Sequence, residues 1–213
     1  MRFMKKELEN YLLAHTGAED TVLAELTRET HIKTMFPRML SGHLQGKFLE
    51  MISYMIDPAT ILEIGTFTGY SAICLARGLK DGGMLHTIDV DPELEYLAKG
   101  YFEKAAVQDK IIQHIGNALE IIPSLDYLFD LVFIDADKEN YLNYYRLVFD
   151  KVKTGGFILA DNALWDGKVV LRDDKQDKET KGIVEFNEFV HNDNRVENML
   201  LPLRDGIMML RKK

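Results

Sequence analysis

The sequence has one cysteine, Cys74, in 213 residues. An intrachain disulfide needs two cysteines and a thiolate-built zinc centre needs more, so both are excluded. A chain this poor in thiols suits a reducing compartment. No run of 18 apolar residues occurs, so no transmembrane helix and no membrane partner are expected. The opening stretch, MRFMKKELENYLLAHTG, mixes acidic and basic side chains and lacks a long apolar centre. It does not read as a signal peptide, and a cytoplasmic location is expected. Positive charge is also short: 26 Lys and Arg against 34 Asp and Glu leave a net charge of −8. That balance disfavours bulk binding to nucleic acid or anionic lipid, while leaving room for a local basic patch.

What is present is globular: 46% hydrophobic and 28% charged residues supply enough apolar side chain for a substantial core. The length predicts a single domain over 1–213, with helices in residues 1–57 packing on or capping a sheet. Apolar positions at helical spacing predict helices over 3–14, 19–32 and 42–56. After Pro58 the rhythm changes. Short apolar runs at 61–64, 84–90, 110–115, 131–134 and 157–160 read as strands. Helical segments at 71–79, 93–106, near 117–122, at 140–152 and at 183–192 alternate with them. Such alternation implies βαβ units and a parallel sheet. The stretch VENMLLPLRDGIMMLRKK reads as two strands around Arg204-Asp205-Gly206, a tight connection that only antiparallel strands can make. The predicted fold is therefore α/β, a doubly wound and mostly parallel seven-stranded sheet with an antiparallel last strand and added N-terminal helices. Gly155-Gly156 reads as the turn before the fifth strand, and the polar run 172–181 as a loop.

Two constellations carry chemistry. Glu63-Ile64-Gly65-Thr66-Phe67-Thr68-Gly69 joins the first strand to a helix, and its glycines let a ligand approach the backbone. Asp89 closes the second strand, where an acid can accept from both hydroxyls of a ribose. The nicotinamide fingerprint G-x-G-x-x-G is replaced by E-x-G-x-x-x-G. A phosphate-free, positively charged adenosyl ligand suits acids beside the loop better than a diphosphate does. A glycine turn required only by chain geometry is the plainer alternative. The second constellation is acidic. The fourth strand runs into Asp135-Ala136-Asp137-Lys138 and the fifth into Asp161-Asn162, so Asp135, Asp161 and Asn162 offer three oxygen donors at one sheet edge. Hard cations such as Mg²⁺, Ca²⁺ or Mn²⁺ take such ligands. Each aspartate alone serves equally well as a cap for the segment that follows it. Lys138 is close enough to act as a base toward a hydroxyl in the same cleft, or it is a solvated lysine at a helix start. His86 and His114 read as core strand histidines.

These motifs resemble the cation-dependent O-methyltransferases, the family of plant caffeoyl-CoA and animal catechol O-methyltransferases. The similar segments are MLSGHLQGKFLEMI, ILEIGTFTGYSAICLA, HTIDVDPE, IGNALEIIPSL, FDLVFIDADKENY, GGFILADNALWDGKV and PLRDGIMMLRKK. The resemblance implies a Rossmann-like methyltransferase fold with S-adenosylmethionine and a divalent cation, Mg²⁺ first, as cofactors. It implies cofactor contacts from Ser41, Glu63, Gly65, Tyr70, Ser71, Asp89, Asn117, Ala118 and Asp135, and metal ligation by Asp135, Asp161 and Asn162. Lys138 and Asp135 would be catalytic, and Lys138, Trp165 and Asp166 would meet the substrate. The implied acceptor is a small vicinal diol of the catechol type, and the implied assembly is a homodimer. Asp166 stands where plant relatives usually have Asn, a departure that leaves phenylpropanoid-thioester specificity open. The same family offers an alternative acceptor, a hydroxylated tRNA uridine, which the net charge disfavours. A non-catalytic adenosyl-binding protein would have no need of Asp135, Lys138, Asp161 and Asn162 together.

Overall fold

The computed structural model describes residues 5–213. Seven strands form one sheet: β1 (Thr60–Ile64), β2 (Met84–Asp89), β3 (Ile111–Ile115), β4 (Phe129–Ile134), β5 (Val152–Ala160), β6 (Val196–Leu201) and β7 (Ile207–Lys212). Their order is β3-β2-β1-β4-β5-β7-β6. The first five strands are parallel, and β7 is antiparallel to both β5 and β6. Around them lie α1 (Lys6–Ala14), α2 (Thr21–Lys33), α3 (Gly42–Ile56), α4 (Tyr70–Arg77), α5 (Glu95–Lys104), α6 (Ala118–Ser124), α7 (Tyr141–Phe149) and α8 (Lys178–Asn192). The predicted doubly wound sheet with a reversed last strand is the fold observed. Positions 3 and 4 of the predicted first helix, and the start of the predicted domain, lie outside the described residues.

The two-residue period of the strands divides the core. Leu62, Ile64, Val132 and Ile134 point to one face, against Ile122 of α6, Tyr145 of α7 and Phe186 of α8. Ile61, Leu131 and Phe133 point to the other, against Leu49 of α3, Ile73 of α4 and Phe102 of α5. Burial on both faces explains why β1 and β4 are near-continuous apolar runs. The N-terminal helices divide in role. Leu23 and Leu26 of α2 and Leu49 of α3 are buried in the second core, whereas α1 buries none of its side chains. Among the described residues no helix is long and apolar enough to cross a membrane.

Two local expectations are corrected. Gly155-Gly156 is not a turn but lies inside β5, which starts at Val152. The β4–β5 register shifts between Phe129 and Leu131, and Gly155 has φ of +82°, so the glycines form a bulge rather than a reversal. The run 172–181 is only partly loop, because α8 begins at Lys178 instead of 183. Asp177 caps it by accepting from the Thr180 N–H at 2.8 Å.

On β2 and β3 the predicted core histidines pair with each other, His86 Nδ1 lying 3.1 Å from His114 Nε2. The Tyr127 ring covers His86 at 4.3 Å between centroids. Burial, with His114 adding to it, lowers the His86 pKa to about 4. An unfolded histidine titrates near 6.5. Between those values the unfolded chain binds the extra proton, so the His86 contribution to stability falls as pH drops from about 6.5 towards 4. Urea unfolding should show the stability advantage of wild type over His86→Phe shrinking by roughly 2 kcal/mol between pH 7 and pH 4.5. A gap constant with pH would clear His86 of this role.

Candidate functional site

Register places the site. Ile64 pairs with Ile88 and Ile134, Ile134 with Ala160, and Asp89 with Ile115. The residues leaving the sheet in the same row as Asp89 are therefore Gly65, Asp135 and Asp161. The ladder continues through them: Gly65 N–H donates to Ile88 O at 2.8 Å, Asp135 N–H to Ile64 O at 2.8 Å, and Asp161 N–H to Ile134 O at 3.0 Å. A glycine is required in this row. Gly65 has φ of +105°, and a Cβ there would stand 2.0 Å from the Asp135 carbonyl oxygen. Above the edge opens a cleft of about 1900 Å³. A single small ligand fills roughly 300–1,000 Å³, so this cleft has room for two.

At one end of the cleft, Asp89 is pinned by backbone donors. Its carboxylate accepts from Phe67 N–H at 2.6 Å and from Asp91 N–H at 2.9 Å. Asn117 caps α6 by accepting from Leu119 N–H at 3.0 Å, and with Ala118 it walls the same end. Ser41, Tyr70 and Ser71 also reach the wall, but the Tyr70 hydroxyl turns away and donates to Glu19 at 2.6 Å. Glu63 does not reach the wall. It is fully buried behind it, accepting from the Thr87 hydroxyl at 2.5 Å while its Oε1 has no hydrogen-bond partner. Burial pushes its pKa up to about 8, so its carboxyl is largely neutral at pH 7.

At the other end Asp135, Lys138, Asp161, Asn162, Trp165 and Asp166 come together on one wall. Lys138 is not a solvated lysine. Its side chain is only 8% exposed, and Nζ donates to Asp135 Oδ1 at 3.0 Å and to the Tyr141 hydroxyl at 2.6 Å. Burial and the nearby Asp135 hold the Tyr141 pKa well above its ordinary value. Asp161 is buried, and its Oδ1 has no hydrogen-bond partner. Burial first, and then the Asp135 charge, push its pKa up to about 6. An unpartnered buried carboxylate oxygen facing a second carboxylate costs free energy that a hard cation would relieve. The residues present thus fit such an ion. The donor set is lean: among the described residues no cluster of three or more His, Cys, Asp and Glu could hold a metal, and the further oxygen on this wall is that of the Asn162 amide.

The loop that follows is strained. Asn162, Trp165 and Asp166 all have positive φ, a conformation that costs a bulky residue such as tryptophan. Two ammonium groups stand over the Trp165 ring, Lys138 at 5.8 Å and Lys168 at 5.4 Å from its centroid. Sequence reasoning missed several residues on this wall or buried behind it. Asp205 accepts from the Asp166 N–H at 2.5 Å and from Asn162 Nδ2 at 3.4 Å, and Gln45 donates to Asp161 Oδ2 at 2.8 Å. Asp137, whose carboxylate accepts from the Tyr144 hydroxyl, also faces the cleft. Asp205, Gln45 and Asp137 all lie in segments that carry the family resemblance, but nothing in the spacing of Gln45 or Asp205 pointed to Asp161 or Asn162.

Comparison with known proteins agrees with this geometry. A family model described as O-methyltransferase matches residues 14–213. The chain is 36% identical over 195 residues to caffeoyl-CoA O-methyltransferase 1 of Eucalyptus globulus, covering 87% of this chain and 79% of that protein. Its structure is similar to that of the O-methyltransferase TomG from Streptomyces achromogenes, involved in tomaymycin synthesis and solved in complex with S-adenosylmethionine. The TM-score is 0.91 at 28% identity, over 99% of this chain and 100% of that one. An O-methyltransferase from Bacillus cereus, solved with S-adenosylhomocysteine, gives 0.90 at 29% identity over 97% of each.

The Gly65 approach generates a direct test. Gly65→Ala has to move the Asp135 carbonyl or the strand that bears it, so stability to urea should fall by at least about 2 kcal/mol. Gly100 sits in α5 with open space around it, and the same change there should stabilise the chain slightly. Equal effects at the two positions would refute the close approach.

Proposed function

Since the chain belongs to the O-methyltransferase family and takes its methyl group from S-adenosylmethionine, we propose that its acceptor is a catechol-type vicinal diol and that transfer depends on a divalent cation. The observation that carries this is the buried, unpartnered Oδ1 of Asp161 on the same wall of the cleft as Asp135. The caffeoyl group in the relatives' name also bears two adjacent phenolic hydroxyls.

Each residue has a part in this scheme. Asp89 accepts from the ribose hydroxyls of the methyl donor, and Asn117 and Ala118 flank its adenine. Ser41, Gly65, Tyr70 and Ser71 line its methionine end, and Glu63 backs that end with a carboxyl that a positive ammonium would ionise. Asp135, Asp161 and Asn162 hold the cation, which when bound supplies Lewis-acid activation of a chelated hydroxyl. Lys138, after passing one proton to solvent, takes the phenolic proton on its amine from within the same wall. The phenolic oxygen then forms its bond to the methyl carbon as the sulfur–methyl bond breaks, leaving a neutral thioether. Trp165 and Asp166 border the aromatic acceptor. Because the sulfonium is already an activated donor, the protein contributes alignment and charge placement.

Two measurements test the scheme. With a catechol and its monohydroxy analogue side by side, only the catechol should be methylated. Chelator should abolish that activity and added Mg²⁺ should restore it. Full activity in chelator, or equal rates on both phenols, would overturn cation dependence and leave Asp135 and Asp161 as caps. Separately, Lys138→Ala should lower turnover by ~10²–10⁴ while leaving methyl-donor affinity nearly unchanged. A variant with normal turnover would remove Lys138 as the base.

A further inference from the structure

Gln45 lies on the second turn of α3, is fully buried, and sits 116 residues from Asp161 in sequence. Its side chain bridges two groups of opposite character. Nε2 donates to Asp161 Oδ2 at 2.8 Å, and Oε1 accepts from Arg204 Nη1 at 2.9 Å. A guanidinium only donates, and an ionised carboxylate only accepts. A primary amide between them has one satisfactory orientation, with its oxygen to the arginine and its nitrogen to the carboxylate. Arg204 therefore fixes which way Gln45 faces, and Gln45 fixes which oxygen of Asp161 is taken.

The same Arg204 Nη1 also donates to the Ser41 carbonyl oxygen, at the lip of the cleft just before α3. Arg204 has φ of +51° in the turn between β6 and β7. That turn is itself fastened to the segment after Asp161, through Ala163 N–H to Gly206 O at 2.9 Å and Leu164 N–H to Asp205 O at 2.8 Å. Its next side chain, Asp205, accepts from Asn162. One short turn thus bears on both residues that follow β5 at the site.

We infer that Gln45, oriented by Arg204, is a positioning residue that occupies Asp161 Oδ2 and leaves Oδ1 free for the cation. Arg204 extends the clamp to the Ser41 lip of the methyl-donor pocket. This rests on the cation reading above. Removing the amide frees the carboxylate to rotate and leaves a second buried oxygen without a partner. Removing the guanidinium lets the amide turn over and releases the Ser41 backbone as well.

The test uses the full-length chain with Mn²⁺ as probe, its affinity followed by electron paramagnetic resonance. S-adenosylmethionine affinity is measured in chelator by calorimetry. Gln45→Met keeps the side chain's length and volume but removes donor and acceptor. It should weaken Mn²⁺ binding by about 10–100-fold and leave S-adenosylmethionine affinity within about twofold of wild type. Arg204→Met, at an exposed position, should weaken both. Unchanged Mn²⁺ affinity in Gln45→Met, when wild type binds the ion and Asp161→Asn loses it, overturns the clamp alone. Wild type that binds no Mn²⁺ overturns the cation reading and the clamp together. If Gln45→Met does not fold, Arg204→Met decides: loss of both affinities supports the clamp, and loss of neither refutes it.

Discussion

Everything at the cleft depends on how closely the turn after β1 passes the end of β4. A Cβ on Gly65 would stand 2.0 Å from the Asp135 carbonyl, so the two strand ends touch through backbone alone. That contact sets Asp135 beside the glycine turn, and the β4–β5 register then sets Asp161 beside Asp135. The end of the cleft at Asp89 and the acidic end at Asp135 and Asp161 consequently open into one another. One continuous cleft suits a reaction in which a methyl group crosses from one end to the other.

Much of this was legible in the sequence because it is a property of parallel sheets. Short apolar runs alternating with helices fix a row of strand ends, and acids at those ends have to converge. Asp89, Asp135 and Asp161 could be placed from spacing alone, and a hairpin-tight Arg204-Asp205-Gly206 could only reverse the chain. The misjudged elements obeyed more local rules. The glycines of β5 had the same composition as a turn, and only pairing with β4 shows that they bulge. Asp177 opens α8 inside a polar run whose charge concealed the helix. Gln45 and Arg204 lie 159 residues apart, and no periodicity connects an amide on one helix to a guanidinium in a distant turn.

The site is also built against its own electrostatics. Glu63 and Asp161 are buried with one unpartnered oxygen each, and burial drives both toward their protonated forms. Two buried carboxyl groups so placed beside the cleft are a cost the fold accepts. The strained backbone at Asn162, Trp165 and Asp166 belongs to the same pattern, with local stability given up where ligands meet the chain. Rigid strands below hold these groups, while α1 and the exposed Met35, Phe36 and Met39 form a rim with little buried anchorage.

The position of β7 has a consequence for synthesis. It is the last of the seven strands to leave the ribosome, yet it sits between β5 and β6 and brings with it the turn that braces Asp161 and Asn162. Until it inserts, β5 presents an unpaired edge and β6 has no neighbour at all. A nascent chain can assemble the five parallel strands early, but the acidic wall lacks its brace until β7 has been made. Chains cut short before β7 would therefore bear a sticky sheet edge and an unbraced acid pair. Quality-control proteases could tell them from finished molecules by that edge.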